Sequence, residues 1–206
     1  MALLEPWDLR VSPASPRELP ADIAAKLRTP DAVEELSDAL RVKLKIESGL
    51  DLGHFQRNRD RFIHVGPVVT VRYAPKRIWD NEHRLGHDAI GAACVPGCVV
   101  LTDASGCPDS VLGGVAAQTI RRGGAEVVVI DGLARDIDEV TEAGLTVMAA
   151  RFGVRSGRPM AQAIAINEPM RFVGTYVATG DIAVVNQHGL VVIPSWLGWD
   201  DLRSAL

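Results

Sequence analysis

The sequence predicts a mixed α/β fold in a single domain, and three observations carry that prediction. Through the middle of the chain, apolar runs of strand length at residues 98–102 and 127–131 alternate with helix-compatible segments. The last third turns β-rich: residues 171–177, 181–185 and 189–193 are short apolar runs, joined by Thr179-Gly180-Asp181 and Gln187-His188-Gly189 as turns. Alternating β and α elements followed by a run of strands favour a mixed sheet over a purely doubly wound one. A chain of 206 residues, 47% hydrophobic and 23% charged, is long enough to bury one sizeable core.

Residues 1–28 form an N-terminal proline-rich arm and residues 29–206 the domain. Pro6, Pro13, Pro16 and Pro20 keep the first twenty residues from being helical, although residues 20–27 can start a short helix. Thr29-Pro30-Asp31 resembles a helix start, with Thr29 as the cap, and Val33, Leu36 and Leu40 follow at helical spacing. Residues 41–46 alternate polar and apolar and fit either a strand or the tail of that helix; residues 47–60 read as a loop. Residues 62–73 read as a strand, a turn at Gly66-Pro67 and a second strand. A helix within 82–93 precedes the turn at Pro96-Gly97. Residues 103–109 are a polar loop, 112–122 a helix with a glycine-rich start, and Gly123-Gly124 its end. The strand at 127–131 breaks at Gly132, a helix spans about 137–143, a strand follows at 145–150, and 153–168 is loop-rich.

Charge and composition exclude several functions. A net charge of −4 supplies no basic face for nucleic acid. No apolar run approaches the ~18 residues of a membrane span. Residues 1–20 lack the basic-then-apolar order of a signal peptide, so a cytoplasmic protein is expected. Cys94, Cys98 and Cys107 are an odd set without a secretion signal, and Cys94-Val-Pro-Gly-Cys98 has the wrong spacing for a zinc knuckle or a thioredoxin motif.

The chemistry concentrates where the 127–131 strand ends, in Asp131-Gly-Leu-Ala-Arg-Asp136. A strand end is where an open α/β sheet places its ligand. Arg135 can hold a carboxylate or enolate with a forked pair of hydrogen bonds. Asp136 can hold a hard divalent cation such as Mg²⁺. Upstream, Leu112-Gly113-Gly114-Val115 opens a helix whose exposed amides suit an anion. It is neither a dinucleotide fingerprint nor a P-loop. The glycine-opened helix, the strand and Arg-Asp form one β-α-β-like unit, which allows both anion sites to share a small 2-oxo acid. Arg135-Asp136 also fits a plain surface ion pair or a helix-start charge.

With these pieces in order, the chain resembles the family of 4-hydroxy-4-methyl-2-oxoglutarate aldolases and the regulator of ribonuclease activity A, RraA. The matching pieces are Val65-Gly-Pro-Val-Val-Thr-Val71, Leu101-Thr-Asp103, Leu112-Gly-Gly-Val-Ala-Ala117, Ile130-Asp-Gly-Leu-Ala-Arg-Asp136, Gly180-Asp181 and Gly189-Leu-Val-Val-Ile-Pro194. The resemblance implies a swivelling β/β/α-type mixed sandwich assembled as a homotrimer or hexamer with sites between subunits. It also implies a metal-dependent carbon-carbon lyase, an aldolase or oxaloacetate decarboxylase. Asp136 would bind Mg²⁺ or Mn²⁺, Arg135 would stabilise the enolate, and Gly113, Gly114, Val115 and Ala116 would hold the substrate carboxylate. The family's other implied role is a non-catalytic regulator that inhibits ribonuclease E by protein contact.

Two departures bear on that reading. Family members usually carry an acid where this chain has Gly114, the aldolases for proton transfer and a regulator as well, and two acids near the last strand are replaced by Asn186 and His188. Asp103 is the candidate to replace the missing acid as a catalytic residue; Asp109 can serve likewise or cap the helix. His83 and His87, at i and i+4, can chelate a metal but read better as surface residues; Asp200 and Asp201 read as solvated charge, and Trp7, Trp79, Trp196 and Trp199 as packing or subunit contact.

Overall fold

A computed structural model of the chain describes residues 9–77, 82 and 84–206; Pro6, Trp7, Trp79 and His83 lie outside the described residues. In chain order the elements are β1 (Arg10–Val11), α1 (Ala21–Lys26), α2 (Ala32–Asp38), a π-helical turn (Ala39–Lys43), β2 (Gly49–Asp51), β3 (Gln56–Arg57) and β4 (Ile63–Pro75). Then come α3 (His87–Ala93), β5 (Cys98–Asp103), α4 (Gly114–Arg122), β6 (Ala125–Ala134), α5 (Ile137–Glu142), β7 (Thr146–Phe152) and β8 (Ala161–Ile166). The chain closes with β9 (Met170–Phe172), β10 (Thr175–Val177), β11 (Ile182–Asn186), β12 (Gly189–Ile193) and α6 (Trp199–Ala205).

One curled sheet runs β2-β12-β11-β4-β5-β6-β7-β3, with β8 beside β4 and β1 beside β8, while β9 and β10 pair as a separate hairpin. Strands β4 to β7 are parallel, joined by α3, α4 and α5 as crossovers. Those helices bury Ile90, Ala117, Ile120 and Val140 against Val100, Val128 and Val147 on one face of the sheet. The opposite face, with Val99, Leu101, Val129 and Met148, packs on Phe172, Val177 and the inner side chains of β11 and β12, Ala183, Val185, Leu190 and Val192. Ile182, Val184, Val191 and Ile193 point the other way, under Ile23, Leu36 and Leu202 of α1, α2 and α6. These strands are therefore buried on both faces, which is why they read as unbroken apolar runs rather than alternating ones. Each such side chain contributes roughly 1.5–3 kcal/mol by burial. The result is the mixed α/β, β/β/α-layered single domain that the sequence predicts.

Several boundaries differ from expectation. Gly66-Pro67 is not a turn: β4 runs straight through it. Pro67 sits where the strand hands over from β11, paired with residues 63–67, to β5, paired from Val68 onward. A missing N–H is tolerated at such a hand-over. Residue 66 is glycine because a Cβ would overlap the Gly97 carbonyl oxygen. Gly132 does not end β6; the register on β7 shifts between Ile130 and Leu133, and the strand continues to Ala134 as a bulge. The loop-rich region contains β8, whose run Ala-Gln-Ala-Ile-Ala-Ile lacks large β-formers at its start. Residues 171–177 are a hairpin, not one strand, turning at Val173 and Gly174, both at positive φ. Residues 41–46 follow the helix: Leu44 N–H donates to Ala39 O, and Val42 is 60% exposed. Residues 47–60 hold the short strands β2 and β3. Thr29 does not cap α2, which starts after Asp31 without a side-chain cap; its hydroxyl donates to Lys26 O instead. The proline-rich arm is tied to the domain at β1, which pairs with β8, and by Ile23 and Leu27, which are buried. Cys94, Cys98 and Cys107 are free thiols, all buried.

Candidate functional site

The segment leading into α4 is zipped along the end of β6. Val111 N–H donates to Leu133 O at 3.0 Å, Arg135 N–H donates to Leu112 O at 2.9 Å, and Leu112 and Ala134 form a parallel bridge. This fixes the first turn of α4 against the residues that follow β6. Asp136 then takes a left-handed conformation, φ 54° and ψ 45°. Aspartate is among the few residues that tolerate that region, and an outlier of this kind collects at functional sites. Asp136 occupies the N-cap position of α5 but makes no side-chain cap bond. Its carboxylate points at α4 instead: a Cβ on Gly113 would stand 2.6 Å from Asp136 Oδ2 and 3.3 Å from Arg135 Nε. Arg135 Nε lies 3.3 Å from Asp136 Oδ2, and each side chain is about a third exposed, 35% and 34%. Asp136 therefore starts α5 without capping it by a side-chain hydrogen bond, and pairs with Arg135 instead.

These residues share one cavity of about 140 Å³, lined by Gly113, Gly114, Val115, Ala116, Arg135 and Asp136. Every substrate- and metal-binding residue read from the sequence thus converges on one place. The volume is well below the ~300–1,000 Å³ of a drug-sized site and suits an acid of a few carbons. Ala117 N–H is the first amide of α4 to bond back, to Gly113 O at 2.9 Å. The amides of Gly114, Val115 and Ala116 precede it and have no intrahelical acceptor, so they present positive charge to the cavity.

Further residues line the cavity: His87, read from the sequence as a surface histidine, and Ser110, Ser156 and Arg158, which the sequence did not single out. His87 Nε2 lies 2.9 Å from Val111 O, an acceptor only, so that nitrogen carries a proton. Ser110 donates to Leu112 O at 2.6 Å, and Ser110 bridges to Ser156. Arg158 lines the cavity and its guanidinium has no hydrogen-bond or ion-pair partner among the described residues. No local sequence pattern distinguishes Ser110, Ser156 or Arg158; long-range pairing of residues 110 and 112 with residues 156 and 134 brings them in. On α5, Glu139 packs against α4 so closely that a Cβ on Gly114 would overlap its Oε2 and lie 2.6 Å from its Cβ.

Asp103, read as a catalytic candidate, does not line this cavity. It ends β5 opposite Asp131, and its Oδ1 accepts from Ser105 N–H at 3.2 Å and Ser105 Oγ at 2.9 Å, an Asx-type turn. Burial pushes the Asp131 carboxyl above its usual range, and the Asp103 charge adds to that. Asp109 neither reaches the cavity nor caps α4: it is buried and ion-paired at 2.7 Å with Arg155 Nε, without the alignment of a hydrogen bond. Asp181 of the Gly180-Asp181 piece is structural; it accepts from Ala178 N–H at 2.9 Å and Ser195 N–H at 2.8 Å. Asn186 donates to Glu34 and its Oδ1 accepts from His188 N–H, shaping the β11–β12 turn. Asp200 pairs with Arg203, as solvated charge does. A larger cleft of about 590 Å³ lies elsewhere, between Asp31, Glu34, Asp60, Arg57, Arg61 and His188. Its mixed acids and bases favour no single ligand class, so the smaller cavity is the candidate.

Among the described residues no group of three or more His, Cys, Asp or Glu converges to cage a metal. Mg²⁺ does not need one: it is bound through one or two carboxylates, with waters and substrate oxygens completing the shell. Asp136, a partly exposed carboxylate that makes no cap bond, fits that donor role. No helix among the described residues is long and apolar enough to cross a membrane.

Comparison with known proteins identifies the family. A family described as "RraA-like: Aldolase/RraA" matches residues 33–192. An uncharacterized protein of Methanocaldococcus jannaschii is 34% identical over 84 residues, 41% of this chain; the match spans only 40% of that relative's length. A solved structure of an uncharacterized protein from Pseudomonas syringae superposes with a TM-score of 0.75 at 25% identity, covering 94% of this chain and 86% of that one. Streptomyces coelicolor RraAS2, described as an unusual member of the RNase ES inhibitor RraA family, superposes at 0.73 with 22% identity, over 92% and 93% of the two chains, a likeness of fold. The RNA-processing inhibitor RraA from Thermus thermophilis does so at 0.58 and 20% identity, over 79% and 94%. The chain thus belongs to the RraA-like family, which includes both metal-dependent aldolases and inhibitors of RNA processing.

Proposed function

We propose that the protein is a divalent-metal-dependent lyase that acts on a small 2-oxo acid through a pyruvate-type enolate, as an aldolase or decarboxylase in the cytoplasm. The observation that carries this reading is the convergence of Arg135, Asp136 and the open amides of α4 on one small cavity. The amides of Gly114 to Ala116 hold the substrate carboxylate. Arg135 donates to the keto oxygen, and its hydrogen bonds strengthen as that oxygen gains charge; such stabilisation is typically worth ~10²–10³ in rate. Asp136 would hold Mg²⁺ or Mn²⁺, which when bound supplies Lewis-acid polarisation of the keto group. Arg158 faces the same space and suits a second carboxylate on the substrate. A homotrimer or hexamer with sites between subunits belongs to the same reading. Val115 at the cavity and Val154 in the bordering segment, 77% and 87% exposed, are apolar surface that a neighbouring copy would cover.

The test is pyruvate release from oxaloacetate and from 4-hydroxy-4-methyl-2-oxoglutarate, with and without Mg²⁺. Metal-dependent turnover lost in Asp136→Ala supports the lyase. The alternative is a non-catalytic regulator acting by protein binding. No turnover of either substrate by an intact oligomer would shift the assignment there.

A further inference from the structure

The segment that carries Arg158 is fastened to the chain just ahead of α4. Asp109 is buried, and a carboxylate so placed is costly without a counter-charge. Arg155 Nε supplies one at 2.7 Å, and Arg155 Nη2 donates to Pro108 O at 3.3 Å. The backbones follow: Ser110 N–H donates to Arg155 O at 3.1 Å, and Gly157 N–H donates to Ser110 O at 2.8 Å. Residue 157 is glycine because a Cβ there would overlap Ser110 O. Arg158 comes next, its N–H donating to Ser156 Oγ at 3.3 Å. Beyond it, Met160 and Ala161 N–H donate back to Gly157 O at 2.9 and 2.7 Å. Residues 108–112 thus lead into the open amides of α4 and also hold the backbone that offers Arg158, so both reach one cavity from a common support. Within that cavity Arg135 has Asp136 as its counter-charge, whereas among the described residues the Arg158 guanidinium has none.

We infer that Asp109 is a positioning residue for substrate selection: through Arg155 it fixes the segment from which Arg158 takes the far carboxylate of a 2-oxo dicarboxylic acid. The inference rests on the 2-oxo acid reading above and deepens it, since the substrate is then chosen by the anion remote from its keto group. A guanidinium matches a carboxylate with two parallel N–H bonds when both are held in place. An arginine on a loose loop would lose part of that gain to ordering the loop on binding. Here the backbone on either side of Arg158 is already bonded, so less remains to be ordered. Asp109 does not line the cavity and touches no substrate; it acts through Arg155 alone. A 2-oxo acid that ends in a methyl group gains nothing from Arg158 and leaves it in water, where it already stands exposed.

The experiment is calorimetric titration, with Mg²⁺ present, of 2-oxoglutarate and of 2-oxopentanoate, which has a methyl group where 2-oxoglutarate has its far carboxylate. Neither carries the C4 hydroxyl or the β-carboxylate that cleavage needs, so binding is read without turnover. Wild type is expected to bind 2-oxoglutarate ~10-fold or more tighter than 2-oxopentanoate. Arg158→Met should bring that ratio close to one. Asp109→Asn should lower the ratio ~5-fold through 2-oxoglutarate alone, with 2-oxopentanoate within ~3-fold of wild type. The double variant Asp109→Asn/Arg155→Met leaves no buried carboxylate unpaired and should show the same split. Arg155→Lys keeps a cation beside Asp109 and should retain most of the preference. A wild type without preference, an unchanged ratio in Asp109→Asn and the double variant, or equal weakening of both ligands would overturn the inference and leave the 2-oxo acid site standing. A wild type that binds neither acid would overturn the 2-oxo acid reading itself, and this inference with it.

Discussion

Strand β5 ends in Asp103 and its neighbour β6 leads into Asp136, so two carboxylates arrive at the same edge of the sheet. Asp103 keeps extended geometry and is consumed by its own turn, accepting from the Ser105 amide and hydroxyl. Asp136 adopts a left-handed conformation, forgoes its cap and faces the next helix. An acid at a strand end is therefore not yet a site. The backbone after it decides whether its oxygens are spent locally or left for a ligand. The arginine beside Asp136 and the open amides of α4 complete the difference.

The sharpest way to break the comparison is to neutralise each acid. Asp136→Ala should abolish metal-dependent turnover, by ~10³-fold or more, while Asp103→Asn should stay within a few-fold in the same pyruvate-release assay. Arg135→Lys, which keeps the charge but loses the fork, should cost ~100-fold in kcat. Gly113→Ala places a methyl 2.6 Å from Asp136 Oδ2. The displaced carboxylate should cost up to ~100-fold in activity, with little change in melting temperature because the neighbour is a side-chain end.

Gly132→Ala probes the scaffold between the two strand ends. Its Cβ would meet Ala104 Cβ at 2.8 Å and Ala104 O at 3.1 Å, so destabilisation of about 1–3 kcal/mol in denaturant unfolding is expected. The smallest effect concerns pH. Asp131 has a folded-state pKa raised by burial and then by Asp103. A raised carboxyl leaves the fold relatively more stable below its ordinary value of ~3.9 and less stable as pH rises through the folded value. Asp131→Asn should therefore raise the melting temperature relative to wild type at pH 8, and that advantage should vanish below pH ~4. The opposite trend would show that the carboxylate is favoured by contacts other than those named.

Patterns confined to a few residues were readable in the sequence. The doubly buried strands announce themselves as apolar runs, and Arg135-Asp136 and Gly113-Gly114 sit where a β-α-β unit predicts. Features set by distant pairing were not readable. Pro67 looks like a turn until β4 is seen to exchange partners there, and β8 is too rich in alanine to stand out among loops. Asp103 and Asp136 look equivalent in sequence because a single φ separates their fates.

The most direct test is calorimetric titration with oxalate, a planar dianion that mimics the pyruvate enolate, with and without Mg²⁺. Oxalate should bind wild type and Asp103→Asn only when Mg²⁺ is present, and should not bind Asp136→Ala. Undiminished Mg²⁺-dependent binding to Asp136→Ala, or equal loss in Asp103→Asn, would contradict the assignment of the site to the end of β6.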